Sequence, residues 1–230
     1  MKIIILTGAG ISAESGVPTF RSSDGLWSGH KVEEVATPKG YKKNPSLVLD
    51  FYNKRRLEVK TVTPNEAHIS IANLQNSTKH KVVLITQNVD NLHERAGSPE
   101  VIHMHGSLAK SKCNVCNDVF DANEIMEITD TCSSCFSGTL RPDIVWFGEI
   151  PYHMDKITKS FEDADLFVAI GTSGNVYPAA GFVQIAKKLG LHTLELNLIK
   201  TGNNDFMECR EGPASVIVTK WVNQLLELNV

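Results

Sequence analysis

No apolar run in this chain approaches the roughly 18 residues that a membrane-spanning helix needs. The N-terminal apolar stretch, residues 3–6, is also far too short for the core of a secretory signal. Charge of one sign is lacking as well. Twenty-three basic residues face 26 acidic ones, for a net charge of −3, so nothing points to specific nucleic-acid binding or a membrane surface. Cysteine is sparse, at five in 230 residues. At this length and without an export signal, that argues against a disulfide scaffold and favours metal ligation for four of them, with Cys209 a free thiol. Internal repeats and low-complexity tracts are also missing. What remains is an ordinary globular composition, 42% hydrophobic and 21% charged, and the expected compartment is the cytoplasm.

Short, continuous apolar runs lie at residues 3–7, 82–86, 166–170 and 193–196, with a less regular one at 216–218. Such runs suit strands buried on both faces of a parallel sheet. Helical patterns fall between them, at residues 65–75, 178–189 and 221–228, and the alternation predicts a doubly wound, Rossmann-like α/β sheet. Two segments interrupt it. Residues 28–63 are rich in Lys, Arg and aromatics and hold a helix starting near Pro45; residues 108–141 carry four of the cysteines. We expect these two to form a smaller domain. Residues 1–27, 64–107 and 142–230 would then form the dinucleotide-binding one.

Small or polar groups follow each predicted strand: Gly8-Ala9-Gly10, Gln87-Asn88-Val89-Asp90, Gly171-Thr172-Ser173 and Asn197. Ligands bind at the carboxyl ends of strands in open α/β sheets. Gly8-Ala9-Gly10-Ile11-Ser12-Ala13 fits G-x-G-x-x-[G/A], a turn that lets backbone approach a pyrophosphate; a tight turn without ligand fits equally. The acidic residue expected about twenty positions on is missing, which argues against ordinary hydride transfer. A polar loop, Pro18-Thr19-Phe20-Arg21-Ser22-Ser23-Asp24-Gly25, stands there instead and reads as a flap.

Cys113-x2-Cys116 and Cys132-x2-Cys135 have the spacing of a four-thiolate zinc site. Four thiolates close the coordination sphere, so the metal should be structural. His103 and His105, two apart, would face the same way on a strand. Either is a candidate general base, and spacing alone does not choose. Tyr52 and Arg55 are three apart on the helix after Asn44-Pro45, hence on one face. They read as a solvated arginine beside a half-buried tyrosine, or as a two-pronged carboxylate site.

Taken together, and in this order along the chain, Gly8-Ala9-Gly10-Ile11-Ser12, Pro18-Thr19-Phe20-Arg21, Thr86-Gln87-Asn88-Val89-Asp90, His105-Gly106, the paired cysteines, Val145-Trp146-Phe147-Gly148-Glu149 and Gly171-Thr172-Ser173 resemble the sirtuins. These are NAD-dependent protein-lysine deacylases. Tyr52-x-x-Arg55, with the small Ala36, is similar to the bacterial desuccinylase-type class.

The resemblance implies that His105 is the base and His103 is not. It places Asn88 and Asp90 around nicotinamide and its ribose, and Phe20 and Arg21 in the cofactor loop. Gly8, Ala9, Gly10, Ile11, Ser12, Gln87, Val89, Gly171, Thr172, Ser173, Asn197 and Ala214 would hold the rest of NAD+. Residues 145–149 would pair with an extended acyl-lysine peptide as an added strand, and Tyr52, Arg55 and Ala36 would meet the acyl group. Implied chemistry is attack of the acyl oxygen on the ribose carbon, loss of nicotinamide, and deprotonation of a ribose hydroxyl by His105. Products are free lysine, nicotinamide and O-acyl-ADP-ribose. Zn2+ would be structural. Competing readings are ADP-ribosyl transfer on the same fold, a zinc-ribbon nucleic-acid module and an NAD dehydrogenase.

Overall fold

A computed structural model describes residues 1–19 and 26–227. Six parallel strands form the main sheet in the order β11-β10-β9-β1-β4-β5. They are β1 (Lys2–Thr7), β4 (Lys81–Thr86), β5 (Ile102–His103), β9 (Leu166–Ile170), β10 (His192–Asn197) and β11 (Glu208–Glu211). Within β1 the side chains alternate. Ile3 and Ile5 enter one core with α4 (Glu66–Asn76) and α8 (Ala214–Glu227). Ile4 and Leu6 enter the other, with α6 (Met154–Ser160) and α7 (Phe182–Lys188). Covering both faces requires both sets of positions to be apolar, which is why the run shows no alternation.

The chain starts at the centre of the sheet, builds β4 and β5 to one side, then returns to add β9 beside β1. The loops after β1 and β9 therefore meet at the point where strand order reverses. Their contact explains the glycines. A Cβ on Gly8 or Gly10 would lie 2.7–2.8 Å from backbone atoms of Gly171, and one on Gly171 would lie 2.4 Å from the Ile11 amide nitrogen. The glycine pattern thus encodes a crossing of two loops, whatever it does for a ligand.

The remaining elements sit beside the sheet. A two-stranded ribbon, β2 (Leu26–Trp27) and β3 (His30–Lys31), leads into α1 (Val32–Val35), α2 (Pro38–Lys43) and α3 (Pro45–Thr61). An antiparallel sheet, β7-β6-β8, comprises β6 (Gly106–Cys113), β7 (Val119–Asp121) and β8 (Leu140–Ile144). Helix α3 begins where Asn44 Oδ1 accepts from the Leu47 amide, with Pro45 in the first turn. Its buried Val48, Phe51 and Tyr52 share a cluster with Leu108, Ile144 and Trp146. The buried arginine of this helix is Arg56. Its guanidinium donates to the Leu108 carbonyl at 2.7 Å and to Asn53 Oδ1 at 2.8 Å, while Asn53 exchanges two hydrogen bonds with the Met126 backbone. Losing one partner of such a buried set costs about 1–3 kcal/mol.

Residues 216–218, expected as a strand, lie within α8. Ala214, Val218, Trp221, Val222 and Leu225 are its buried positions, a spacing of four, three, one and three. That stripe extends beyond a three-residue β-branched run and decides the outcome. The helix expected over 178–189 opens as a 3-10 turn, Ala179–Gly181, before α7. Among the described residues no helix is long and apolar enough to cross a membrane.

Candidate active site

A cleft of about 660 Å³ opens at the carboxyl ends of β1, β4, β9 and β10. It reaches across to α3 and the segment after β8. Gly8, Ala9, Gly10, Gln87, Asn88, Val89, Asp90, Gly171, Thr172, Ser173, Asn197 and Ala214 line it on the sheet side. His105, Ala36, Tyr52, Val145, Trp146, Phe147, Gly148 and Glu149 line it on the other. Ile11 and Ser12 are fully buried and do not reach the lining. Phe20 and Arg21 lie outside the described residues. Glu14, Trp27, Tyr177, Leu198 and Pro213 also line the cleft. No motif marked them, because only the fold sets where each lies relative to the cleft.

The turn after β4 is held by side chains once the strand ladder ends. Thr86 Oγ1 accepts from the Asn88 amide at 3.0 Å, and His105 Nδ1 lies 3.1 Å from the Gln87 carbonyl oxygen. A carbonyl can only accept, so Nδ1 carries the proton and the neutral ring keeps a lone pair on Nε2. Among the described residues Nε2 has no hydrogen-bond partner, and the ring lines the cleft. Burial moves His105 below the usual histidine range, and the Gln87 contact opposes this only in part.

Beneath the lining, Ser12 joins three groups. His68 Nδ1 accepts from the Asn65 amide, so its Nε2 carries the proton that points to Ser12 Oγ at 3.4 Å. Asn88 Nδ2 donates to the same oxygen at 3.1 Å, and the Ser12 hydroxyl donates to Asp90 Oδ2 at 3.0 Å. Asp90 also accepts from the Leu92 amide. Burial raises its carboxyl above the usual range, with these donors working against the rise. Gln87 Nε2 donates to Thr172 Oγ1, and Asn197 Nδ2 to the Thr172 carbonyl, which ties three strand ends together.

At the far end, Trp146 Nε1 donates to the Tyr52 hydroxyl oxygen at 3.0 Å. That bond uses a lone pair of the phenol and not its proton, and burial keeps the group from ionising by pushing its pKa far up. Arg55 was expected beside it but is not part of the lining. Its Nε and Nη2 bind Glu58, and its Nη1 is buried without a partner among the described residues. Four of the five amides at 145–149 are also already in use. Val145 donates to the His105 carbonyl, Phe147 to the Ala36 carbonyl, Trp146 to Glu149 Oε2 and Glu149 to the Trp146 carbonyl.

The four thiols of Cys113, Cys116, Cys132 and Cys135 lie within 4.8 Å of one another. Two of their contacts are 3.7 and 3.6 Å. A tetrahedron with metal–sulfur bonds of about 2.3 Å has edges of about 3.8 Å. Amides of Val115 and Cys116 donate to Cys113 Sγ, and those of Ser134 and Cys135 to Cys132 Sγ, as thiolates require. The donor set fits Zn2+.

The profile of the Sir2 family matches residues 8–178. The chain belongs to the Sir2 family. Its similarity to an NAD-dependent protein deacylase of Leishmania major is 56% identity over 232 residues, 98% of this chain and 96% of the relative. To an NAD-dependent protein deacylase of Vibrio parahaemolyticus it is 51% over 232 residues, 99% and 96%. A Sir2 homologue mutant bound to 2′-O-acetyl-ADP-ribose superposes with a TM-score of 0.88 at 39% identity, covering 100% of this chain and 94% of that one. A Sir2 structure with an inhibitor, 2′-O-acetyl-ADP-ribose and a deacetylated p53 peptide gives 0.77 at 27%, covering 98% and 92%.

Proposed function

We propose that this chain is an NAD-dependent protein-lysine deacylase that moves the acyl group from lysine to ADP-ribose. One observation carries the reading: His105, fixed in its Nδ1-protonated tautomer by the Gln87 carbonyl and kept neutral by burial, turns an unpartnered nitrogen to a cleft formed by Gly8, Gly10, Asn88 and Asp90. A neutral imidazole there can take a proton from a ribose hydroxyl. Asn88 and Asp90, fixed through Ser12, receive the nicotinamide end. The loops at Gly8–Gly10 and 171–173, with Asn197 and Ala214, receive the remainder. Residues 145–149 receive the acyl-lysine peptide. The relatives' names and the ligands bound by the structural neighbours support this assignment. Zinc, when bound by the four cysteines, stabilises β6 and its loops. It takes no part in the reaction. Reduced, metal-ligating thiols suit a cytoplasmic enzyme.

The acyl groups we assign are acidic ones, succinyl and malonyl, with acetyl also accepted. Ala36, Tyr52 and Trp146 of the lining are uncharged, and Arg141, stacked over the Trp146 ring at 4.2 Å, is already paired with Glu149. Arg55 lies one helical turn from Tyr52 and supplies the cation, on release from Glu58.

The test is one peptide carrying acetyl-, malonyl- or succinyl-lysine, with and without NAD. Free lysine and nicotinamide should form one for one, only with NAD, and His105→Asn should abolish both. Label from adenine-tagged NAD retained on the protein acceptor would instead indicate ADP-ribosyl transfer.

A further inference from the structure

His103 and His105 hold consecutive carbonyls of the same turn. The strand ladder ends with the Met104 amide donating to the Thr86 carbonyl. Next along the turn, His105 Nδ1 meets the Gln87 carbonyl and His103 Nδ1 the Asn88 carbonyl, each at 3.1 Å. The two rings then differ. His105 has one acceptor, whereas His103 has two, because its Nε2 lies 2.6 Å from Glu94 Oε1 on α5 (Leu92–Arg95). Neither a carbonyl nor a carboxylate brings a hydrogen, so both nitrogens of His103 must supply one.

We infer that His103 is a doubly protonated positioning residue, whose imidazolium staples the Asn88 carbonyl to Glu94 and so holds Asn88 and Asp90 where the cofactor's nicotinamide end docks. The docking part rests on the function proposed above; the charge state does not. Glu94 and Asp90 are the anions facing the ring, and His93, fully buried on α5, faces it as a neutral group. Burial works against a charge on His103, yet the Glu94 contact prevails and raises its affinity for the proton. Glu94 moves the other way, below the usual carboxylate range. One histidine is thereby kept charged and rigid while its neighbour is kept neutral and reactive.

Nitrogen-15 NMR of the histidine rings in the intact chain at pH 7.5 tests the charge state without any turnover. The expected spectrum shows His103 protonated at both nitrogens and His105 at Nδ1 alone, with Glu94→Gln returning His103 to the neutral form. A neutral His103 in the parent protein overturns the inference. Kinetics test the positioning role. Removing one such contact should raise KM for NAD about five- to tenfold in His103→Gln. The peptide KM and the acid limb of the pH profile should stay unchanged. His103→Arg, which keeps two donors and the charge, should recover most of the loss. A His103→Gln enzyme within twofold of the parent for NAD would refute positioning. One that loses the acid limb would mean that His103 is itself the base. If the parent shows no NAD-dependent deacylation, the proposed function fails, while NMR still decides the state of His103.

Discussion

Arg55 and Glu58 form a two-point ion pair within one turn of α3, with Nε and Nη2 donating to the two carboxylate oxygens at 2.7 and 3.0 Å. The pair neutralises Arg55 and leaves its Nη1 buried without a hydrogen-bond partner among the described residues. On the proposed specificity, an acidic acyl group would compete with Glu58 for Arg55.

Arg55→Met should lower succinyl-lysine turnover about ten- to a hundredfold, the loss of one charge-assisted contact of roughly 1.5–3 kcal/mol, while acetyl-lysine turnover changes little. Glu58→Gln should do the opposite and raise the succinyl-to-acetyl ratio of kcat/KM severalfold. Equal losses on both substrates with Arg55→Met would show that Arg55 is not the selector.

Deacylation should fall in acid with an apparent midpoint below 6.5, because burial shifts His105 downward and only its neutral form accepts a proton. The check is kcat/KM against pH with saturating NAD. A midpoint above 7 would assign the limb to another group.

Replacing Cys113 by serine should lower solubility and the unfolding midpoint by about 10 °C or more, with loss of bound zinc. Metal analysis and thermal unfolding measure both. A metal-free variant of normal stability would contradict a structural site.

Folding stability should decline as pH drops from 6.5 toward 4. His68 is buried neutral, with its pKa moved by burial from 6.5 to about 4. The unfolded chain therefore binds a proton in this window that the fold refuses. The sign follows: stability is intact above pH 6.5 and lost on acidification, by up to about 3 kcal/mol from this residue. His93, shifted the same way, adds to the loss. Denaturant unfolding at pH 7 and pH 5 measures it.

Much of this was legible in the chain because one cause left one mark. Strands covered on both faces read as unbroken apolar runs, and strand ends announced the cleft through Gly8, Asn88, Thr172 and Asn197. Edge strand β11, with Glu208 and Arg210 in it, has no apolar run to reveal it. Residues 216–218 misled because three β-branched or aliphatic side chains in a row satisfy a strand as well as one turn of a helix. Tyr52 reached the cleft and Arg55 did not, since helical spacing places both on one side but says nothing of Glu58 intercepting the guanidinium. The support under the site was not legible at all. His68, His93 and Glu94 act through contacts across 56, 86 and 9 positions of the chain.

Strand β6 starts at Gly106, next to His105, and ends at Cys113. Gly106 is wedged so tightly that a Cβ would come within 2.0 Å of the Asp143 carbonyl oxygen on β8. The metal site and His105 thus sit at the two ends of one strand. A compound that strips zinc would silence turnover from outside the cleft and pass for an active-site inhibitor in a screen. Sensitivity to chelators therefore carries no information about whether the reaction uses a metal, and a metal-content counter-assay has to accompany any such hit.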